Sequence, residues 1–305
     1  MLLCAILVVE AMRTAAVVPI KTMMALRRTL DVGDSEKLQA DDRDLIFRAG
    51  FSSLSVSVQR LDVESPGRFQ KRVSMLRTSQ RIMVLDLRQV PADVDLMPLL
   101  IDIRDKWPDR DKIVFQLRSA ADVPMLRATA PANTLVLAGD EAWREVKSVL
   151  PDGNIIYSFG PIGPEIFQNQ SSEVLSSSSG RDARPMFPPE PERIRQMTWL
   201  EPKNLEVMRQ YGREKWAVED VREQLQKWVD WGRRNRRYVW WTGFGCSIGA
   251  EEASRRRYFE TMARAASYFD LGWCLSAYDG PWSVAKGSAS SRSMRSETAA
   301  VFSSQ

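Results

Sequence analysis

Short apolar runs alternate with amphipathic stretches along the chain from about residue 40 onward. Strands are predicted where such a run is bounded by polar residues, at 51–58, 81–87, 112–117, 134–138, 154–159, 238–242 and 271–275. Between the runs, apolar residues recur at helical spacing, as at Phe69, Val73 and Leu76. Strands that alternate with helices favour a parallel sheet with crossover connections.

The number of predicted elements narrows the fold class. A further first strand is expected within residues 16–24, which gives eight strands with seven helices between them. This pattern predicts an α/β protein with a single-domain (β/α)8 TIM barrel, for which about 250 residues are typical. An open doubly wound sheet agrees less well with eight strands and seven helices, and the sequence contains no glycine motif for phosphate binding. We divide the chain into an apolar N-terminal segment at 1–15, the barrel at 16–285 and a polar tail at 286–305.

The alternation is interrupted between residues 160 and 200. This stretch contains the serine-rich sequence SSEVLSSSSG and the proline-rich sequence FPPEPE. Such a composition predicts a long surface loop that is either functional or disordered. In the polar tail, only 297–302 has the pattern of a short helix.

Histidine is absent from all 305 residues, although 44% apolar and 27% charged content is ordinary for a globular protein. The absence excludes histidine-dependent zinc sites and Ser-His or Cys-His nucleophiles. The cysteines Cys4, Cys246 and Cys274 are odd in number and widely spaced, which indicates neither a zinc site nor a disulfide framework. We therefore expect no metal and no cofactor.

The N-terminus carries the apolar run from Leu2 to Val9. At eight residues the run is too short to span a bilayer, and no basic residues precede it as they would in a signal peptide. A cleaved export signal and a truncated or misassigned start both stay open. No later segment has the length and apolarity of a transmembrane helix, so we expect a soluble protein.

Six strand contexts resemble glycoside hydrolase family 5, the cellulase family. The matching segments are GFSSLSVSV (50–58), RIMVLDLRQV (81–90), KIVFQLRSAA (112–121), NIIYSFGPIGPEIFQNQ (154–170), YVWWTGFG (238–245) and GWCLSAYDGPWSV (272–284). The resemblance covers roughly residues 40 to 300 in the right order. It implies a (β/α)8 barrel, O-glycosyl hydrolase activity and a β-glucan as substrate.

The resemblance also implies two glutamates, an acid/base after the fourth strand and a nucleophile after the seventh. Here these two positions carry Ala120 and Gly243, neither of which has a carboxyl group. Other polar or aromatic positions of the family are replaced as well, by Ser55, Arg88, Gly160, Ile162, Asn169 and Ser276. Because the apolar positions are kept, the pattern indicates a fold that has lost its old chemistry, and a non-catalytic, carbohydrate-associated function is favoured.

An active glycosidase with relocated carboxylates is the main alternative. Asp122 and Glu251 are the nearest acids after the fourth and seventh strands and are the candidates for such a pair. They can equally be solvated loop acids, helix caps or ion-pair partners. Asp86 is expected to be a buried structural acid that pairs with a neighbour.

Aromatic residues on predicted loops are candidates for a retained sugar platform. Trp143, Tyr278 and Trp282 follow predicted strands and could stack on sugar rings, although packing is an equally simple explanation of each. Arg88, near the predicted barrel mouth, could bind an acidic polysaccharide. An oligosaccharide or polysaccharide is therefore the expected partner.

Two basic clusters flank the seventh predicted strand, at 233–237 and at Arg255, Arg256 and Arg257. They are interpreted as solvated helix surfaces, and no nucleic-acid partner is expected because no binding module is recognisable. A third reading of the protein is a scaffold that binds another protein through the 160–200 loop. No feature of the sequence sets the oligomeric state.

Overall fold

The computed structural model describes residues 17–33, 38–78, 80–138, 149–169, 183–287 and 291–303. Eight parallel strands close into a barrel, namely β1 (Arg28–Asp31), β2 (Ser53–Ser57), β3 (Met83–Asp86), β4 (Ile113–Leu117), β5 (Leu135–Ala138), β6 (Ile155–Phe159), β7 (Tyr238–Phe244) and β8 (Gly272–Ser276). Each strand pairs with the next along the chain, and β8 pairs with β1. A two-stranded ribbon follows, β9 (Ala285–Lys286) with β10 (Ser293–Met294). The predicted (β/α)8 barrel is confirmed.

Helices surround the barrel. In the described residues they are α1 (Ile20–Ala25), α2 (Ala40–Arg48), α3 (Arg60–Glu64), α4 (Pro66–Ser74), α5 (Met97–Lys106), α6 (Val123–Thr129), α7 (Glu165–Gln168), α8 (Pro191–Gln196), α9 (Pro202–Arg213), α10 (Val218–Asn235), α11 (Glu252–Tyr268) and α12 (Ser296–Phe302). The alternation of strands and helices also predicts a helix around 142–150, between β5 and β6, and this segment falls mostly outside the described residues. Within the described part of the chain, no helix has the length and apolarity needed to cross a bilayer.

The prediction of a first strand within residues 16–24 is wrong. That segment contains α1, and β1 lies further along the chain at Arg28–Asp31. The sequence of β1, RTLD, contains a single apolar residue, Leu30, which packs outward against the helices. Its inward positions are Thr29 and Asp31, so β1 lacks the apolar run by which a buried strand is recognised.

Side chains alternate between the two faces of the barrel wall, and the buried apolar residues accordingly form two clusters. The larger cluster fills the space between the strands and the helices and includes Leu30, Leu85 and Phe115. The smaller one lies inside the barrel and includes Val84, Val114 and Trp240. Inward positions closer to the carboxyl ends of the strands are polar, and they include Asp31, Asp86, Gln116, Ser158 and Thr242. The barrel therefore has an apolar floor and a polar mouth.

Helix α10 shows how local sequence signals set the ends and the buried face of a helix that packs on the barrel. Asp220 accepts a hydrogen bond from the backbone N–H of Ala217 at 2.9 Å and so caps the start of α10. Arg236 ends α10 in the left-handed conformation with φ of 53°. Val221 and Leu225 are buried on one face, as their spacing predicts, and Trp228 stacks on Phe159 of β6 with ring centroids 5.0 Å apart.

The described parts of the segment between 160 and 200 pack on the barrel. Phe167 in α7 and Phe187 before α8 are fully buried, and their ring centroids lie 5.4 Å apart. Both rings also contact Tyr258 of α11. These contacts fix both ends of the segment, of which residues 170–182 lie outside the described residues.

A buried ion pair ties the C-terminal helix to the barrel. Arg255 is 2% exposed, and its Nε donates to Glu297 of α12 at 2.9 Å. Its terminal nitrogens donate to the carbonyl oxygens of Cys246, Ser247 and Ser283. The interpretation of Arg255 as part of a solvated cluster is therefore wrong, because helix spacing alone does not reveal a buried carboxylate 42 residues away. The predicted short helix at 297–302 is confirmed as α12.

Candidate functional site

The carboxyl end of β4 presents no acid at the position of the family's acid/base residue. Ser119, Ala120 and Ala121 are all exposed there, and Ala120 begins a short 3-10 turn that extends to Asp122. The Ser119 hydroxyl accepts a hydrogen bond from the backbone N–H of Ala121 at 3.2 Å. The side chain of Ala120 is therefore an exposed methyl group, which cannot donate a proton.

The end of β7 is shaped around a glycine. Gly243 has φ of +83°, a left-handed conformation that favours glycine, and the pairing of β7 with β8 is irregular between Thr242 and Phe244. A Cβ atom at Gly243 would meet no other atom within 4 Å. The position therefore faces open space at the mouth, but a side chain there would strain the backbone.

The end of β6 leaves no room for a side chain at Gly160. A Cβ atom at Gly160 would lie 1.7 Å from the backbone oxygen of Thr242 in β7. The two strand ends approach so closely that only glycine fits. In this backbone, neither Gly160 nor Gly243 can be replaced by a larger residue without strain.

Asp122, one of the two relocated candidates, is held by an arginine. It is buried, and its two carboxylate oxygens accept hydrogen bonds from Arg118 at 2.7 and 3.2 Å. Arg118 also donates to the carbonyl oxygens of Pro91 and Val94 in the loop after β3. This arrangement joins the end of β4 to the neighbouring loop, which is a structural task for Asp122.

Glu251, the other relocated candidate, lies immediately before α11 and is partly buried. It accepts a hydrogen bond from the hydroxyl of Ser254 at 3.1 Å. This side-chain contact links Glu251 to the first turn of α11 without capping a backbone N–H. The pairing of Asp122 with Glu251 for acid/base work remains a hypothesis.

A charged cluster occupies the mouth at the ends of β1 and β3. Asp86 is buried, as predicted, and Arg88 binds both of its oxygens at 2.9 and 2.7 Å. The Arg88 side chain is 39% exposed, so its guanidinium reaches the solvent at the mouth. Asp31 of β1 lies within electrostatic range of both residues and accepts a hydrogen bond from the backbone N–H of Gly33 at 2.9 Å.

Asp31 is a titratable group of this cluster with a shifted pKa. Burial raises the pKa of its carboxyl group to about 6. The negative charge of Asp86 adds to the rise, whereas the Gly33 N–H and the charge of Arg88 oppose it. Burial also raises the pKa of the neighbouring Cys274 thiol in β8 well above its ordinary value. Carboxyl groups that carry a proton near neutral pH are frequent at functional sites.

Sequence reasoning missed Asp31. The residue ends a strand that was placed too early in the chain, so its position at the mouth was not recognised. No apolar run marks β1 in the sequence, so no local signal identifies Asp31 as the residue at its end.

The three aromatic residues predicted to bind a sugar differ in their exposure to solvent. Tyr278 is fully buried, its hydroxyl donates to Asp42 at 2.7 Å, and the guanidinium of Arg292 lies over its ring. Its ring therefore cannot stack on a sugar in this conformation, because it serves the packing of the loop after β8. Trp282 is partly exposed and lies against Gly245, just after β7. Trp143 lies outside the described residues.

Gly245 makes room for Trp282 at the mouth. A Cβ atom there would approach the Trp282 ring to 2.9 Å and the backbone oxygen of Ser276 to 2.0 Å. Trp282 thus lies close to Ser276, the position at which the family resemblance implies a tryptophan. Within the described part of the chain, no group of three or more cysteines and acids could hold a metal ion.

Comparison with known proteins supports the fold. No protein-family model matches the chain, and no curated protein matches it with a significant score. Among solved structures, subunit Z of the clostridial cellulose synthase from Clostridioides difficile is 14% identical with a TM-score of 0.66, over 90% of this chain and 99% of that one. Cel5A from Thermotoga maritima in complex with cellobiose is 13% identical with a TM-score of 0.67, over 93% and 99% of the two chains.

A second structure of the Thermotoga maritima Cel5A enzyme, in complex with mannotriose, is 12% identical with a TM-score of 0.66 over 93% of this chain and 100% of that one. Identities this low establish a shared fold, and activity does not follow from them. The chain shares the eight-stranded barrel fold of these solved structures.

Proposed function

We propose that the protein binds an oligosaccharide at the barrel mouth and does not cleave it. The observation that carries this proposal is the lack of a carboxyl group at both expected catalytic positions. Ala120 presents an exposed methyl group, and Gly243 is a glycine in the left-handed conformation. Retaining glycoside hydrolysis needs two carboxyl groups about 5 Å apart. Neither position can supply one, and a glutamate at Gly243 would be strained in the present backbone.

The remaining features of the mouth support sugar binding. Trp282 is a partly exposed aromatic ring beside the ends of β7 and β8, and such rings stack on the apolar faces of sugars. Arg88 is held in place by Asp86 and presents a half-exposed guanidinium that can donate hydrogen bonds to hydroxyl or carboxylate oxygens. Solved barrels of the same fold hold cellobiose and mannotriose.

Binding is tested by calorimetry with cello-oligosaccharides, manno-oligosaccharides and a uronic-acid oligosaccharide. Trp282→Ala should weaken the affinity about fivefold, since a stacked aromatic ring contributes on the order of 1 kcal/mol. Trp231→Ala is the matched control because Trp231 is also partly exposed but packs on Tyr157 outside the barrel. Equal losses in both variants, or no binding by the unaltered protein, contradict the proposal.

Cleavage is tested in the same samples by measuring new reducing ends on the oligosaccharides. We expect no release above a blank without protein. If release occurs and is abolished by both Asp122→Asn and Glu251→Gln, the protein is a glycosidase with relocated carboxylates and the non-catalytic proposal fails.

A further inference from the structure

The amino-terminal end of the barrel, opposite the mouth, carries a helix with an inverted distribution of side chains. In α1, Thr22 is buried, whereas Ile20 is 72% exposed and Met24 is 49% exposed. Val17, one turn earlier, is 81% exposed. Helices of soluble proteins normally bury such residues and expose the polar ones. Among the residues that the structure describes, none covers the exposed apolar side chains of α1.

Two adjoining grooves extend this apolar surface. The first, of about 280 Å³, lies between α1 and the start of β7 and is lined by Ile20, Met24 and Tyr238. The second, of about 310 Å³, lies between the end of α10 and the start of β8 and is lined by Val17, Tyr238 and Phe269. Tyr238 is 41% exposed and belongs to both grooves. The grooves thus form one apolar surface, which we call the basal face.

The basal face is rimmed by positive charge. The charged residues that line the two grooves are Arg27, Arg233, Arg236, Arg237 and Asp270. Four arginines and one aspartate give an excess of three positive charges among the residues that line the grooves. Arg27 pairs with Asp270, and Arg233 lies 3.6 Å from Asp230 and is 68% exposed. A surface that is both apolar and basic suits a partner that is both apolar and anionic.

We propose that the basal face binds the surface of an anionic lipid bilayer. The exposed side chains of Val17, Ile20 and Met24 would enter the boundary between headgroups and acyl chains, while Arg233 and Arg236 would contact lipid phosphates. Because the basal face and the mouth lie at opposite ends of the strands, a protein bound in this way presents its mouth to the solution.

The test uses the full chain and sedimentation with two kinds of vesicle, phosphatidylcholine alone and phosphatidylcholine mixed with phosphatidylglycerol. Binding should require the anionic lipid and decline as salt is raised. The double variant Arg233→Glu with Arg236→Glu should bind at least about 25-fold more weakly, since about 1 kcal/mol per arginine corresponds to a factor of about five each. Ile20→Ser with Met24→Ser should also reduce binding, without loss of the folded barrel in circular dichroism.

The matched control reverses two exposed arginines elsewhere, Arg195→Glu with Arg213→Glu, which changes the net charge by the same amount. This control should retain most of the binding. Equal loss in the control, equal binding to neutral vesicles, or no sedimentation with either vesicle overturns the proposal. A dimer in light scattering that Ile20→Ser with Met24→Ser dissociates would instead identify the basal face as an interface between copies of this chain. None of these outcomes depends on sugar binding at the mouth.

Discussion

Replacing Asp31 with asparagine should make the stability of the protein less dependent on pH. The folded-state pKa of Asp31 is about 6, against 3.8 for the ordinary side chain. The folded protein therefore holds a proton that the unfolded chain releases at lower pH, so ionisation of Asp31 opposes folding. Its contribution to the free energy of unfolding falls as pH rises from about 4 to about 6 and then stays low. Asparagine does not titrate and removes this loss.

The size of the effect follows from the shift. A difference of about 2 pKa units corresponds to about 3 kcal/mol, at about 1.4 kcal/mol per unit. Asparagine can still accept the hydrogen bond from the Gly33 N–H through its side-chain oxygen. Relative to the unaltered protein, Asp31→Asn should therefore gain up to about 3 kcal/mol between pH 4 and pH 8. Any effect of the amide on packing is independent of pH and cancels in this comparison.

The assay is urea unfolding, followed by tryptophan fluorescence, at a series of pH values for the two proteins. Asp111→Asn, which changes an exposed carboxyl group away from the mouth, supplies the control for loss of one negative charge. A carbon-detected NMR titration of the Asp31 carboxyl measures its pKa directly. If the difference in unfolding free energy between Asp31→Asn and the unaltered protein is constant from pH 4 to pH 8, the assignment of a proton to Asp31 is refuted.

Two further predictions concern the features that hold the mouth together. Glu297→Ala leaves Arg255 buried without its carboxylate and should lower the free energy of unfolding in urea by about 3–5 kcal/mol. Glu260→Ala, which breaks the exposed pair with Arg256, should lower it by less than about 1 kcal/mol. Similar losses in the two variants would contradict the role of the buried pair. Gly160→Ala places a methyl group against the backbone of β7 and should lower stability by about 1–3 kcal/mol or more, whereas Gly67→Ala, where a Cβ meets no atom within 4 Å, should be neutral or stabilising in the same measurement.

Much of the fold could be predicted because its signals are local. The run RIMVLDL marks β3 and KIVFQL marks β4, since strands buried on both faces are apolar throughout. The helices α10 and α11 show their buried faces in the spacing of apolar residues. β1 escaped prediction because its inward side chains are polar, and a strand with a single apolar residue has no recognisable pattern.

The candidate site was predictable only in part. The missing carboxyl groups at Ala120 and Gly243 can be read directly from the sequence, since an absent functional group needs no geometry. The sequence does not show which of Tyr278 and Trp282 is exposed at the mouth, because both residues follow β8 in the same loop. The hydrogen bond of Tyr278 to Asp42, 236 residues earlier in the chain, decides its burial.

By itself, the sequence determined the strands β2 to β8 and their alternation with helices, and hence the barrel class, because hydrophobic periodicity is a property of neighbouring residues. Tertiary structure alone decided which charges are buried and which groups share an environment. Asp31, Asp86 and Arg88 meet at the mouth because β1 and β3 flank β2 in the closed sheet, and Arg255 finds Glu297 because α12 returns to the barrel. Electrostatic interactions depend on distance through space and on burial, and neither is encoded in the spacing of residues along the chain.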